Sequence, residues 1–152
     1  MRRREFITLV GGIAAWPLVA QAQQPERMRR IGVLVNLGKD DPLGQARQKA
    51  FVQGLQALGL IEGRDVQIDT RWGGGDADQF RKYAAELIAL EPDVILATSG
   101  ATMPALMQAT RTVPIVFVQV PDPVGSGFVA SLARPGGNAT GFTQFDFATC
   151  VT

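Results

Sequence analysis

Short runs of branched apolar residues alternate along this chain with longer segments that repeat apolar residues at helical spacing. The runs at 31–35, 93–97 and 115–118 are typical of strands buried on both faces of a parallel sheet. Residues 66–70 alternate apolar and polar side chains, which favours a strand nearer the sheet edge, and a fifth short strand is predicted at 139–143. The alternation predicts an α/β fold with a doubly wound parallel sheet, in the flavodoxin-like order 2-1-3-4-5 with right-handed crossovers.

Helices are predicted between these strands. The first begins at Pro42 and ends at Gly59, a residue suited to the left-handed conformation that closes many helices. Its apolar stripe consists of Phe51, Leu55 and Leu58. The second helix is capped by Asp76 or Asp78, whose carboxylates can accept free N–H groups of the first turn. A short helix is also predicted at 128–133.

The N-terminus has the features of an export signal. Three arginines at 2–4 precede an apolar stretch, which ends in the small-residue pattern Ala20-Gln21-Ala22 that a signal peptidase cleaves. The arginines favour the twin-arginine route, with the general secretory route as the alternative. We therefore predict a signal peptide at 1–22, a flexible leader at 23–29 and a globular lobe at 30–145. An amphipathic or buried N-terminal helix is the alternative interpretation of the first segment.

Charge and composition exclude several classes of protein. Removing 1–22 takes the 15 basic and 14 acidic residues to 12 and 13, a net charge of −1, which offers no footprint for nucleic acid. No apolar run reaches the roughly 20 residues of a membrane span. The chain has no histidine, and its one cysteine, Cys150, has no partner for an internal disulfide. We expect an exported, periplasmic protein without a cofactor or a metal.

Ligands of doubly wound sheets bind at the carboxyl ends of the strands, near the point where the strand order reverses. Three loops of this chain begin there. The polar candidates for ligand binding in these loops are Asn36 after the first strand, Thr98, Ser99 and Thr102 after the third, and Gln119 and Asp122 after the fourth. The second of these loops opens a helix, so its hydroxyls and free N–H groups suit a carboxylate without a charged side chain.

Four of these candidates also have a purely structural interpretation. Ser99 or Thr102 could simply cap the helix that follows. Asp122, held between two prolines, could take a ligand amine or bond the N–H groups of its own turn. Asn36 could face the cleft or only tie its loop. The sequence leaves these alternatives open.

Catalytic and phosphate-binding patterns are missing from the sequence. A serine nucleophile needs an adjacent general base, most often histidine. Because the chain has no histidine, Ser99 and Ser126 lack this base, which argues against a nucleophilic enzyme. Asp40 and Asp41 could suggest the acidic metal pocket of a receiver domain. That fold also needs a phosphoacceptor aspartate at the end of the third strand, where this chain has Ala97, so the interpretation fails. The glycines at 73–75 are not followed by the Lys-Ser/Thr of a phosphate loop. An isomerase or hydrolase on the same fold remains the rival interpretation.

Several longer motifs resemble one family. They include Arg30-Ile31-Gly32-Val33-Leu34, Val113-Pro114-Ile115-Val116-Phe117, Asp122-Pro123-Val124-Gly125 and the run from Leu132-Ala133-Arg134-Pro135 to Gly141. The chain resembles the ABC transporter substrate-binding proteins of the tryptophan/tyrosine type up to about residue 145. The resemblance implies one lobe of a periplasmic-binding-protein type I fold and a small organic solute, an aromatic amino acid or another carboxylate. It also implies an ABC permease in the inner membrane as partner.

The end of the chain departs from that resemblance. Residues 146–152 do not look like family sequence, and the second lobe of the family is absent. We therefore expect a protein truncated after its first lobe, with an aberrant tail at 146–152 and impaired solute binding. A non-functional fragment is the third interpretation.

Overall fold

The computed structural model describes residues 27–143. The predicted signal peptide at 1–22, the start of the leader and the tail at 146–152 lie outside the described residues. The elements, in chain order, are β1 (Arg29–Val35), α1 (Pro42–Ala57), β2 (Val66–Trp72), α2 (Ala77–Ala89), β3 (Val94–Ala97), α3 (Met103–Ala109), β4 (Ile115–Phe117) and β5 (Ala139–Gly141). The first strand begins one residue before the predicted start of the lobe at 30. No helix within the described part is long and apolar enough to cross a bilayer.

The strands form one sheet in the order β2-β1-β3-β4-β5, with every neighbouring pair parallel. The predicted flavodoxin-like order is therefore confirmed. The order reverses at β1, which pairs with β2 on one side and with β3 on the other. This reversal places the carboxyl ends of β1 and β3 side by side, with the end of β4 next to them.

Helices cover both faces of the sheet, as the doubly wound prediction required. On one face, α2 and α3 pack on side chains of all the central strands, including Leu34, Ile95 and Phe117. On the other face, α1 packs through Phe51 and Leu55 on a smaller cluster around β1 and β2. We call these the α2/α3 face and the α1 face.

The two faces differ in how well they are covered. On the α2/α3 face, Ile95, Ala97, Ile115 and Phe117 are all fully buried. On the α1 face, Leu96 from β3, Val116 from β4 and Val118 just after β4 are only half-buried, because α1 lies over β1 and β2. At the β5 edge, Phe142 is 73% exposed. Among the described elements, none covers the α1 face beyond β1.

The ends of α1 are fixed by local hydrogen bonds. Asp41 caps the start, since its Oδ1 accepts the N–H groups of Leu43 and Gly44 at 2.8 and 3.0 Å. At the other end, Gly59 has a φ of 81° and forms a Schellman motif, in which the Leu60 N–H donates to Leu55. The predicted end at Gly59 is confirmed.

Leu58 was wrongly assigned to the apolar stripe of α1. The helix ends at Ala57, Leu58 is its C-cap residue, and its side chain is 78% exposed. A residue beyond the last turn no longer follows the helical period, so its side chain leaves the sheet. The predicted cap of α2 is confirmed as Asp76, whose Oδ1 accepts the N–H groups of Asp78 and Gln79.

The helix predicted at 128–133 is absent from the described structure, which has only bends and irregular backbone over that range. Val129 is buried and Phe128 is half-buried on the α2/α3 face, so the apolar residues there do serve the core. A hydrogen bond from the Ala130 N–H to the Pro135 carbonyl, at 2.9 Å, closes this loop. The apolar pattern was identified correctly, but it belongs to a loop.

Two glycines of α1 give opposite expectations for substitution by alanine. A Cβ at Gly54 would meet nothing within 4 Å, so Gly54→Ala should raise the free energy of unfolding by about 0.5–1 kcal/mol. A Cβ at Gly44 would lie 2.8 Å from Trp72 Cζ3, so Gly44→Ala should lower it by about 1–3 kcal/mol. Urea denaturation measures both. Equal stabilisation by the two variants would show that α1 does not pack on Trp72.

Candidate functional site

A cavity of about 320 Å³ opens where the carboxyl ends of β1, β3 and β4 meet the flank of α1. It lies at the point where the strand order reverses, as expected for a doubly wound sheet. It is lined by Val33, Val35, Asn36, Leu37, Gly44, Arg47, Gln48, Phe51, Leu96, Thr98, Val118 and Gln119. The sheet supplies the apolar floor, and the loops and α1 supply the polar groups.

Asn36 and Thr98 form a linked pair at this cavity. The Thr98 hydroxyl accepts the backbone N–H of Asn36 at 3.2 Å, and it lies 3.2 and 3.3 Å from Asn36 Oδ1 and the Leu34 carbonyl, to which it can donate. The hydroxyl thus ties the ends of β1 and β3 together and orients the amide. Asn36 Nδ2 has no hydrogen-bond partner within 27–143, so the amide can still donate to a ligand.

Gln119 lies in the same cavity, just beyond the end of β4. Its φ of 58° is in the left-handed region, where a residue with a Cβ is strained by about 1–2 kcal/mol. Such strain persists where the surrounding structure requires it, often at binding sites. The side chain is half-buried and makes no hydrogen bond to another described residue, so its amide can also serve a ligand.

Ser99 and Thr102 make local bonds instead of lining the cavity. Ser99 Oγ accepts the Ala101 N–H at 3.2 Å, and the Thr102 hydroxyl donates to the Ser99 carbonyl at 2.8 Å. Thr102 is fully buried, so this conformation leaves none of its atoms for a ligand. Neither contact is the helix cap of the structural alternative, because Thr102, the N-cap residue of α3, makes no side-chain cap bond and Ser99 Oγ bonds within its own turn. Binding by either residue stays a prediction that the packing does not support.

Asp122 lies away from the cavity, on an exposed loop. Its Oδ1 accepts the Gly125 N–H at 2.8 Å, and its backbone carbonyl accepts the Ser126 N–H at 3.0 Å. No space remains for a Cβ at Gly125, because it would overlap the Asp122 carboxylate. The carboxylate therefore closes its own turn, as the structural alternative has it, and the site formed by the other candidates does not include it.

The first helix contributes lining residues that the sequence did not single out. Gly44, Gln48 and Phe51 recur at helical spacing along the side of α1 that faces the cavity, and Arg47 lies beside them. Gln48 Nε2 donates to Thr70 Oγ1 on β2 at 3.0 Å, which fixes this side of the helix to the sheet. Their helical spacing, directly after the loop that follows β1, could have indicated that this side of α1 faces the site. From the sequence, Phe51 was assigned only to the core.

The chemistry of the cavity suits holding a solute. Its walls are mainly aliphatic, with the ring of Phe51, and its polar groups are amides, a hydroxyl and one guanidinium. No carboxylate lines it, and in the described part of the chain no three potential metal ligands are grouped. An apolar space with a few convergent polar groups is the usual form of a small-molecule site.

Residues 30–149 match the family described as ABC transporter substrate binding protein. The chain belongs to this family. The family binds substrates for transport, so the enzyme that was the rival interpretation is not favoured. The match covers the whole of the predicted lobe at 30–145.

Relatives of this family include proteins with stated ligands. The chain is 30% identical over 120 residues to a tyrosine-binding protein of Clostridioides difficile (strain R20291), covering 79% of this chain and 34% of that protein. A solved ABC domain from Streptococcus pneumonia, in complex with L-Trp, has a TM-score of 0.69 and 28% identity, covering 76% of this chain and 38% of that one.

Two further solved structures share the fold. A conserved domain protein from Vibrio cholerae has a TM-score of 0.72 and 30% identity, covering 80% of this chain and 40% of that one. The ligand-free, open form of a Clostridium difficile substrate-binding protein with adhesive properties has a TM-score of 0.70 and 29% identity, with coverages of 78% and 39%. The described lobe therefore has the periplasmic-binding-protein type I fold. The chain spans 34–40% of the length of these relatives.

Proposed function

We propose that this chain is a solute-binding component of a bacterial ABC importer and holds a small organic solute at the carboxyl edge of its sheet. The observation that carries the proposal is the convergence of Asn36, Thr98 and Gln119 on one apolar cavity, in a chain of the substrate-binding family. One of these side chains follows each of the strands β1, β3 and β4. Such an arrangement orients a solute without reacting with it.

The solute class that this site fits best is an aromatic amino acid. Phe51 and the aliphatic floor formed by Val33, Leu96 and Val118 can pack on a ring. The amides at the cavity can pair with an ammonium or a carboxylate group. Two of the named relatives, the tyrosine-binding protein and the domain solved with L-Trp, support the same class for this chain.

The partners and location of this chain follow from the same proposal. A solute-binding component delivers its solute to an ABC permease in the inner membrane, and it works in the periplasm. The predicted signal peptide at 1–22 supports export, with cleavage before Gln23. N-terminal sequencing of exported material reads that cleavage site directly. Protein that stays in the cytoplasm and begins at Met1 would contradict this part of the proposal.

An NMR titration of the isotope-labelled chain tests solute binding and detects dissociation constants into the millimolar range. L-Tryptophan and L-tyrosine should shift the backbone amide signals of Asn36, Thr98 and Gln119, because these residues line the cavity. Signals of Asp65 and Thr112, which precede β2 and β4 at the amino-terminal ends of the strands, should not move. L-Alanine is the matched ligand control, since it has the same charged groups without the ring.

The pattern of shifts decides the outcome of the titration. Saturable shifts confined to the cavity residues support the proposal, and weaker shifts with L-alanine support the aromatic class. Shifts spread over both edges of the sheet, or no saturable shift with either aromatic amino acid, would contradict it.

A further inference from the structure

Arg47 is the charged residue among those that line the cavity. It lies in the second turn of α1, between Gly44 and Phe51, which line the same cavity. Its side chain is exposed, and it makes neither an ion pair nor a hydrogen bond with any residue in the described range. A guanidinium at the mouth of an apolar cavity attracts an anion more strongly than one on an open surface, because the surrounding protein lowers the local dielectric constant.

Other arginines of this chain show what a structural role looks like. Arg30 pairs with Asp69 at 3.2 Å and donates to the Leu90 carbonyl at 2.7 Å, and Arg71 pairs with Glu86 at 2.9 Å. These two side chains tie neighbouring elements together. Arg47 ties no elements together, and no carboxylate lines the cavity beside it. An anion that balances its charge within the cavity would therefore come from the ligand.

We propose that Arg47 binds the carboxylate of the solute, which extends the site from the strand ends onto α1. This inference rests on the proposed solute-binding function. A guanidinium can donate two parallel N–H bonds to a carboxylate, and such charge-assisted pairs are stronger than bonds between neutral groups. The solute then lies with its carboxylate at α1 and its apolar body over Leu96 and Val118. The amide oxygen of Gln119 remains to accept hydrogen bonds from its ammonium group.

The test compares three ligands that share the indole ring. L-Tryptophan carries both charged groups, tryptamine lacks the carboxylate, and indole-3-propionate lacks the ammonium group. Arg47→Gln should weaken L-tryptophan and indole-3-propionate by about ten- to a hundredfold, the usual loss for a hydrogen bond to a charged group. The affinity of this variant for tryptamine should not fall, because tryptamine has no carboxylate that could lose a partner.

Two control variants sharpen this comparison. Arg111→Gln removes an exposed arginine that precedes β4 at the opposite edge, and it should leave all three affinities unchanged. Arg47→Lys keeps the charge but cannot form the bidentate pair, so it should weaken L-tryptophan less than Arg47→Gln does. Both variants change exposed side chains, and thermal unfolding curves check that the fold is retained.

The outcomes separate this inference from the proposed function. Unchanged L-tryptophan affinity in Arg47→Gln would overturn the role of Arg47 and leave the solute-binding function standing. An equal loss for tryptamine would show that Arg47 acts on the shape of the site, which also overturns the inference. A wild-type chain that binds none of the three ligands would overturn the proposed function and this inference with it.

Discussion

Ile95→Ala should lower the free energy of unfolding by about 2–5 kcal/mol, whereas Leu96→Ala should lower it by only about 1–2 kcal/mol. The two residues are isomers and neighbours on β3, so the same atoms are removed from the same strand. They differ in the face on which they lie. Ile95 is fully buried under α2 and α3, and Leu96 is half-buried on the α1 face, where it borders the cavity.

The size of each loss follows from what surrounds the side chain. Around Ile95, close-packed neighbours cannot collapse fully into the space left by alanine, so a cavity cost adds to the lost burial. Around Leu96, one side is already open, so little new cavity forms. Denaturant unfolding with a common slope for both variants measures the difference. Equal losses would show that the α1 face is as well covered in solution as the α2/α3 face.

Val118→Trp should abolish binding of aromatic amino acids, with a loss of about a hundredfold or more. Val118 lines the cavity just beyond the end of β4, and an indole at this position would occupy space that the solute's ring needs. Steric exclusion removes the packing of the solute and its polar contacts together, and each 1.4 kcal/mol lost is a tenfold loss of affinity. The titration with L-tryptophan measures the effect.

Val116→Trp is the matched control for this variant. Val116 is the same residue type, two residues earlier on β4, and it is also half-buried, but it does not line the cavity. It should retain wild-type binding, and both variants should keep the amide spectrum of a folded lobe. Wild-type affinity in Val118→Trp would place the solute elsewhere and contradict the proposed site.

The ligand loops could be predicted because parallel strands determine where the chain emerges. Asn36, Thr98 and Gln119 each follow a strand that its own apolar run identifies, so the sequence alone brings them to one edge. Thr102, Ser99 and Asp122 follow the same rule, yet their polar atoms bond to nearby backbone. Short polar side chains often make such local bonds, and only the loop geometry shows which of them remain available.

The amino-acid sequence by itself determined the fold class and the strand order, because burial on both faces and right-handed crossovers leave few arrangements. Only the tertiary structure decided how α1 is oriented and which part of the sheet it covers. The rotation of α1 about its axis and its place over β1 and β2 bring Arg47 to the cavity and leave Leu96 half-open. Periodicity reports which residues share a side of a helix, but it does not report how far that helix covers the sheet. That extent depends on contacts between segments distant in sequence, such as Gln48 with Thr70 and Gly44 with Trp72.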